Sequence, residues 1–279
     1  MAVHFHNADQ GWVVGAGGQF LKTTDGGKHW KAVSSGTRAL LTGLVFSEPL
    51  RGWIIGANGT ILATTDGGAK WTPQISGSQA TLYGASFVSP LEGWVVGAGG
   101  TILHTVDGGS HWSDQISGSD AALYAVQFID RDHGAAVGAL GTILVTEDGG
   151  KSWTARPTNS GATFFGLAFG NAKEGWAVGN AGAMFHTIDG GQRWVDRTLP
   201  CLQGCVRPTD LLRIRFTDPQ TGWMVGERGA VYETRDAGVT WKEQATAAKA
   251  VLYGLSFPDA THGWACGDKG TILKITTQP

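Results

Sequence analysis

The sequence predicts an all-β chain folded as one seven-bladed β-propeller, and three columns of aromatic residues predict it. Trp12, Trp53, Trp94, Trp176, Trp223 and Trp264 each follow a Gly and open a short apolar run that ends in Gly. They are spaced 41 residues apart, with Ala135 in the fourth slot and a single 47-residue step between Trp176 and Trp223. A second column, Trp30, Trp71, Trp112, Trp153, Trp194 and Trp241, takes the same steps, and the two columns hold all 12 Trp. The third column is Phe5, Phe46, Phe87, Phe128, Phe169, Phe216 and Phe257. A fixed period of this length marks an array of small units, each too thin to bury its own faces and therefore covered by its neighbours. The seven copies run over about 1–40, 41–81, 82–122, 123–163, 164–210, 211–251 and 252–279, and together form a single domain.

Each copy predicts four short strands. In the third copy these are 82–87 (LYGASF), 94–97 (WVVG), 101–106 (TILHTV) and 111–115. Ser89-Pro90, Gly99-Gly100 and Asp107-Gly108-Gly109 supply the turns between them. Strands of this length, punctuated by Gly, Pro and Asp, belong to a propeller, and no segment carries a sustained 3.6-residue apolar period. Residues 271–277 match 101–107, with Thr277 at the position of the turn Asp. The seventh blade is therefore expected to have three strands. The N-terminus enters a first strand at once, as a trimmed or processed start would, and a strand preceding residue 1 in a longer natural chain is one way to complete the ring.

Both Trp columns are expected between the blades. A Trp buries roughly 150–250 Å², which at about 25 cal/mol per Å² is on the order of 4–6 kcal/mol of gross burial per ring. Tyr83, Tyr124 and Tyr253 also fall in one repeat column, which marks them as packing residues.

A formal net charge of −2 gives no electrostatic case for nucleic acid. No apolar run approaches the length of a membrane span, and residues 1–20 lack a signal-peptide pattern. Cys266 lies in a second strand where other copies have Val or Ile, and is expected to be a small buried hydrophobe. Cys201 and Cys205 fall in the six-residue insertion between copies five and six. A local disulfide, implying an oxidising compartment, is the leading reading; two free thiols are the alternative, and a metal site would need ligands that no nearby His supplies.

The most specific local motif is Thr-x-Asp-x-Gly-x-x-Trp, with its acid at Asp25, Asp66, Asp107, Asp148, Asp189 and Asp236. Its chemistry is that of a turn: the Asp accepts backbone N–H groups that follow it, and Gly takes the strained position. One Asp per turn is too few oxygen ligands for Ca²⁺. The motif resembles the Asp-box, or BNR repeat, which specifies fold and occurs in glycosidases and non-enzymatic propellers alike. The full unit, as in LYGASFVSPLEGWVVGAGGTILHTVDGGSHW, resembles the photosystem II stability/assembly factor family of seven-bladed propellers and its bacterial relatives, over residues 2–277. That resemblance implies a lumenal or periplasmic, non-catalytic scaffold that binds a protein partner, such as a membrane-complex subunit. In the photosynthetic members an arginine-rich patch is associated with partner binding; its arginines do not align residue by residue here.

If the repeat is structural, function should lie where a copy departs from it, and the sixth departs most. Before the inner Phe other copies carry Gly43 and Val45, Gly84 and Ser86, Ala125 and Gln127, Gly166 and Ala168, or Gly254 and Ser256. The sixth carries Arg213 and Arg215. Inner strands line a propeller's channel, so both guanidinium groups are expected at the channel or its mouth. Arg207, in the insertion, and Arg228, in the GERG loop, are expected on the same face, beside Glu227, Asp268 and Lys269. Arginine forks bind carboxylates, so the expected partner has an acidic segment; the alternative is that the arginines satisfy internal acceptors. His4 shares the column of Arg215. An enzyme or carbohydrate-binding reading of the sialidase or glycoside-hydrolase kind lacks arginines from different blades and a paired set of carboxylates. No nucleophile elbow, phosphate loop or zinc motif is present. No cofactor or metal is expected, and a monomer is.

Overall fold

The computed structural model of the chain describes residues 1–199 and 208–276. They form seven small antiparallel sheets, six of four strands and one of three, each a meander in which sequential strands pair. In the third blade Leu82–Phe87 pairs with Gly93–Gly97, that strand with Ile102–Thr105, and the last with Ser113–Asp114. The three-stranded sheet is the seventh: Leu252–Ser256, His262–Gly267 and Ile272–Thr276. Among the described residues no helix is long and apolar enough to cross a membrane.

The repeat chemistry explains how the blades stack. Trp12, Trp53, Trp94, Trp176, Trp223 and Trp264 are at most 3 % exposed. The inner Phe of the next blade lies flat on this ring: Trp53 on Phe87 at 3.6 Å, Trp94 on Phe128 at 3.5 Å, Trp264 on Phe5 at 3.7 Å. The Gly before each Trp lets the blade's own Phe lie against the backbone; a Cβ at Gly93 would stand 2.2 Å from the Phe87 ring. The second Trp column is less buried than expected. Except for Trp194 its members are half-buried, because they stand at the blade's outer rim, where they meet the inner Phe edge-on.

The Asp-box proves to be a clasp between blades as well as a turn. In the fourth blade the Thr146 hydroxyl donates to Asp148 Oδ1 (2.8 Å) and accepts the Gly150 N–H (2.8 Å), and Asp148 Oδ1 accepts the Ser152 N–H (2.9 Å). Hydrogen bonds from the Ser152 hydroxyl and N–H hold the Asp148 carboxyl down to about 2. The carbonyl at the tip of this turn then accepts the indole N–H of the preceding blade: Trp94 to Gly149 at 3.1 Å, Trp53 to Gly108 at 3.2 Å, Trp176 to Ala237 at 3.1 Å, and Trp264 to Gly26 at 3.2 Å. Thr146→Val keeps the shape and removes the hydroxyl, leaving the buried Gly150 N–H without its acceptor. The expected loss is about 1–3 kcal/mol, read by chemical denaturation; Thr146→Ser should recover most of it.

Candidate partner-binding face and channel

The loops entering the inner strands and the turns between second and third strands meet on one face. Three bonds fix this arrangement at blades six and seven: Glu227 N–H to Asp210 O (3.0 Å), Gly229 N–H to Ala250 O (2.7 Å) and Asp268 N–H to Val251 O (3.0 Å). The central residue of each such turn has left-handed backbone. Gly17 and Gly99 take it freely, whereas Arg228 (φ 57°) and Lys269 (φ 55°) hold it as exposed, charged residues. The Arg228 guanidinium donates to the Thr209 hydroxyl at 2.7 Å. Glu227 is half-buried beside it. Asp268 is committed to the scaffold, since its Oδ1 accepts the Val251 N–H at 3.0 Å.

Behind this face a cavity of about 170 Å³ occupies the centre of the ring, lined by inner-strand residues that include Ala2, Val45, Ala85, Val126, Arg213 and Leu255. Arg213 stands in the column that is Gly or Ala in the other copies, and its guanidinium enters the cavity as expected. One terminal nitrogen donates to Phe165 O (2.9 Å) and Leu212 O (3.0 Å). Among the described residues no carboxylate lines the cavity. Its neighbouring titratable groups are the Met1 amino group and the Cys266 thiol, which burial pushes up to about 11, so the thiol stays neutral at ordinary pH. Among the described residues the arginine's charge is therefore met by carbonyl dipoles. Arg215 faces the same side of its strand. It is ringed by protein, which lowers its pKa from the usual arginine value, yet it keeps accessible surface and gains no charged partner among the described residues.

One expectation needs correction. His4 shares the Arg215 column but packs between blades, stacked on Phe46 at 4.8 Å and close to His6 (3.3 Å between ring nitrogens). Burial, followed by the neighbouring His6 and Arg215, holds it down to about 3, so it is a neutral packing group. Tyr83 and Tyr124 do pack from blade to blade, and they do so at the channel. A register shift after Leu82 and Leu123 leaves Tyr83 and Tyr124 outside the ladder. The two rings lie 5.0 Å apart, Phe165 lies 5.4 Å beyond, and both tyrosines line the cavity. Sequence reasoning missed this aromatic rim, although its signal was there: the column varies through Thr42, Tyr83, Tyr124, Phe165, Leu212 and Tyr253 beside an apolar column of Leu or Phe. Cys266 is buried and free, as expected. Arg207, Cys201 and Cys205 lie outside the described residues.

Fold and site together define a seven-bladed Asp-box propeller with a guanidinium in its channel. Within that class, the chain belongs to the family described as photosynthesis system II assembly factor YCF48, whose sequence profile matches residues 28–120, 114–202 and 205–251. No curated protein matches the sequence. Among solved structures, YCF48 bound to D1 peptide is 22 % identical, with 86 % of this chain and 92 % of that one covered at a TM-score of 0.57. YCF48 from Cyanidioschyzon merolae is 21 % identical over 99 % of this chain and 95 % of that one, at a TM-score of 0.78. A streptogramin B lyase is 15 % identical, over 99 % and 93 %, at 0.81. At these identities the likenesses speak for the fold.

Proposed function

We propose that this protein is a non-catalytic scaffold of the photosystem II assembly factor type, working outside the cytoplasm as a monomer. It receives an acidic segment of a protein partner, such as a membrane-complex subunit, on the face carrying Arg228 and Lys269, with Arg213 and Arg215 in the channel behind and Arg207, in the sequence insertion before the sixth inner strand, as a further contributor. The observation that carries this reading is Arg213, enclosed in the channel with no carboxylate among the described residues to balance it. An enclosed guanidinium is costly to desolvate, and an incoming carboxylate offers the fork a bidentate partner. Family membership and the D1-peptide complex of a structural neighbour support a peptide as ligand.

The test is capture of an acidic synthetic peptide by the purified chain. Affinity should fall as salt rises, because exposed charges are screened beyond roughly 10 Å at 0.1 M. Arg207→Ala with Arg228→Ala should weaken capture about tenfold, while the melting temperature moves little. Unchanged capture by that double variant, with Arg213→Ala and Arg215→Ala unfolding the protein, would make the cluster structural and end the proposal. The aromatic rim favours one second reading, a sugar stacked on Tyr83 and Tyr124. Saturable quenching of tyrosine emission by an oligosaccharide would support it.

A further inference from the structure

We propose that the cleft between blades four and five binds a small aromatic cation: a flat ring with an N–H donor, joined to an amine. A cavity of about 490 Å³ opens there, a volume usual for small-ligand sites. It lies between the 129–133 loop of blade four and the Asp-box turn 188–192 of blade five. The neighbouring seam shows why this one is open. Between blades three and four the Trp94 indole lies flat on Phe128 (3.5 Å) and donates to Gly149 O (3.1 Å). Arg131 reaches across the same seam to Glu92 at 3.3 Å. One period later these two positions are Ala135 and Ala172. Phe169, one period after Phe128, has Trp194 edge-on at 6.2 Å as its aromatic contact. The cleft between blades four and five thus lacks an aromatic ring and a cation that its neighbour has.

The lining answers both absences. Ile129 and Ile188, the second 70 % exposed, give the cavity apolar walls. Gly190 lines it as well. Its carbonyl holds the position from which Gly108, Gly149, Ala237 and Gly26 accept an indole N–H, and it accepts no hydrogen bond among the described residues. The charge in the lining is acidic: Asp130, Glu147 and Asp189 against Lys173. Asp130 is taken up by His133 at 2.9 Å. Glu147 accepts Gln192 Nε2 on Oε1 (2.8 Å), and its Oε2 is open. Asp189 Oδ2 has no side-chain donor among the described residues, whereas the same oxygen of Asp107 and Asp148 holds His111 (2.7 Å) and Ser152 (2.6 Å). A ring laid on the two isoleucines can therefore donate its N–H to Gly190 O, while its ammonium makes charge-assisted hydrogen bonds to Glu147 and Asp189. The same ring carrying a carboxylate meets like charge and is rejected.

The probe is tryptamine, titrated calorimetrically into the purified chain. It should bind saturably at one site. Indole-3-acetate, the same ring with the opposite charge, should not bind, and phenethylamine, which lacks the ring N–H, should bind about tenfold more weakly. Glu147→Gln should weaken tryptamine about tenfold, and Ala172→Arg, which supplies a cation from the chain itself, should block it. Both positions are exposed, so the melting temperature of either variant should stay near that of the wild type. Arg228→Ala should leave tryptamine binding unchanged, which separates this cleft from the partner-binding face. Absence of saturable binding, equal binding of either analogue, or full binding by both cleft variants would each overturn the proposal.

Discussion

Replacing Trp94 with Ala is expected to remove about 3–5 kcal/mol of stability, the range for truncating a large buried aromatic ring. The figure is near the upper end because three neighbours lose their contacts together. Trp94 is 0 % exposed, lies on Phe128 at 3.5 Å, stacks on His104 at 4.6 Å, and donates its N–H to Gly149. The indole thus joins two blades by packing and by a buried hydrogen bond. Trp94→Phe should cost less, since it keeps the stack and forfeits only the bond and part of the area. Urea unfolding followed by circular dichroism measures both. If Trp94→Ala costs under about 1 kcal/mol, the account of the inter-blade core is wrong.

A second large effect is expected on acidification. Unfolded His titrates near 6.5, whereas His4 in the fold is held down to about 3 by burial between Phe46, Trp12 and His6. Between those values the unfolded chain binds a proton that the folded chain refuses. Stability is therefore complete above pH 6.5 and falls as pH drops toward 3. The full shift is worth on the order of 4–5 kcal/mol at 1.36 kcal/mol per pH unit. The ring is only half-buried by its own surface, and solvent screening reduces the loss to roughly 2–4 kcal/mol. His4→Val, the residue that blade two carries as Val45, should remove this loss and flatten the curve between pH 6.5 and 3. His6, His104 and His186 are also lowered by burial, so the difference between wild type and variant is the quantity to read. Carboxylates held near about 2, such as Asp107 and Asp148, act with the same direction at lower pH, losing their contribution as pH falls from 3.8 to about 2, and are common to both proteins.

The fold was legible because each structural demand repeats. A Trp every 41 residues, a Gly before it and a Thr-x-Asp turn after it are readable without coordinates, since every blade must solve the same packing problem. Leu82–Phe87 has the bounds its pattern predicts, and the seventh sheet has three strands among the described residues, as expected. Arg213 was legible for the converse reason, as a charged residue in a Gly column. What escaped was whatever depends on direction within a strand. The register shift that turns Tyr83 and Tyr124 toward the channel inserts one unpaired residue, and nothing in a period of 41 marks it. His4 and Arg215 share a column yet differ in fate: the imidazole is short enough to stack on Phe46, while the longer guanidinium keeps its accessible surface. The clasp role of the Asp-box escaped too, because its acceptor is a backbone carbonyl that carries no residue-type signal.

That clasp divides the ring unequally. Blades two to three, three to four, five to six and seven to one are joined by an indole N–H to a turn carbonyl. Between blades four and five Ala135 supplies no indole, but Gln127 accepts the Phe169 N–H at 3.0 Å. Among the described residues the seams from one to two and from six to seven show neither bond, and the first has the His6 imidazole on Pro49 O at 2.8 Å instead. The indole bond therefore adds a directional tie at those four seams, which fixes the angle between neighbouring blades as well as their spacing.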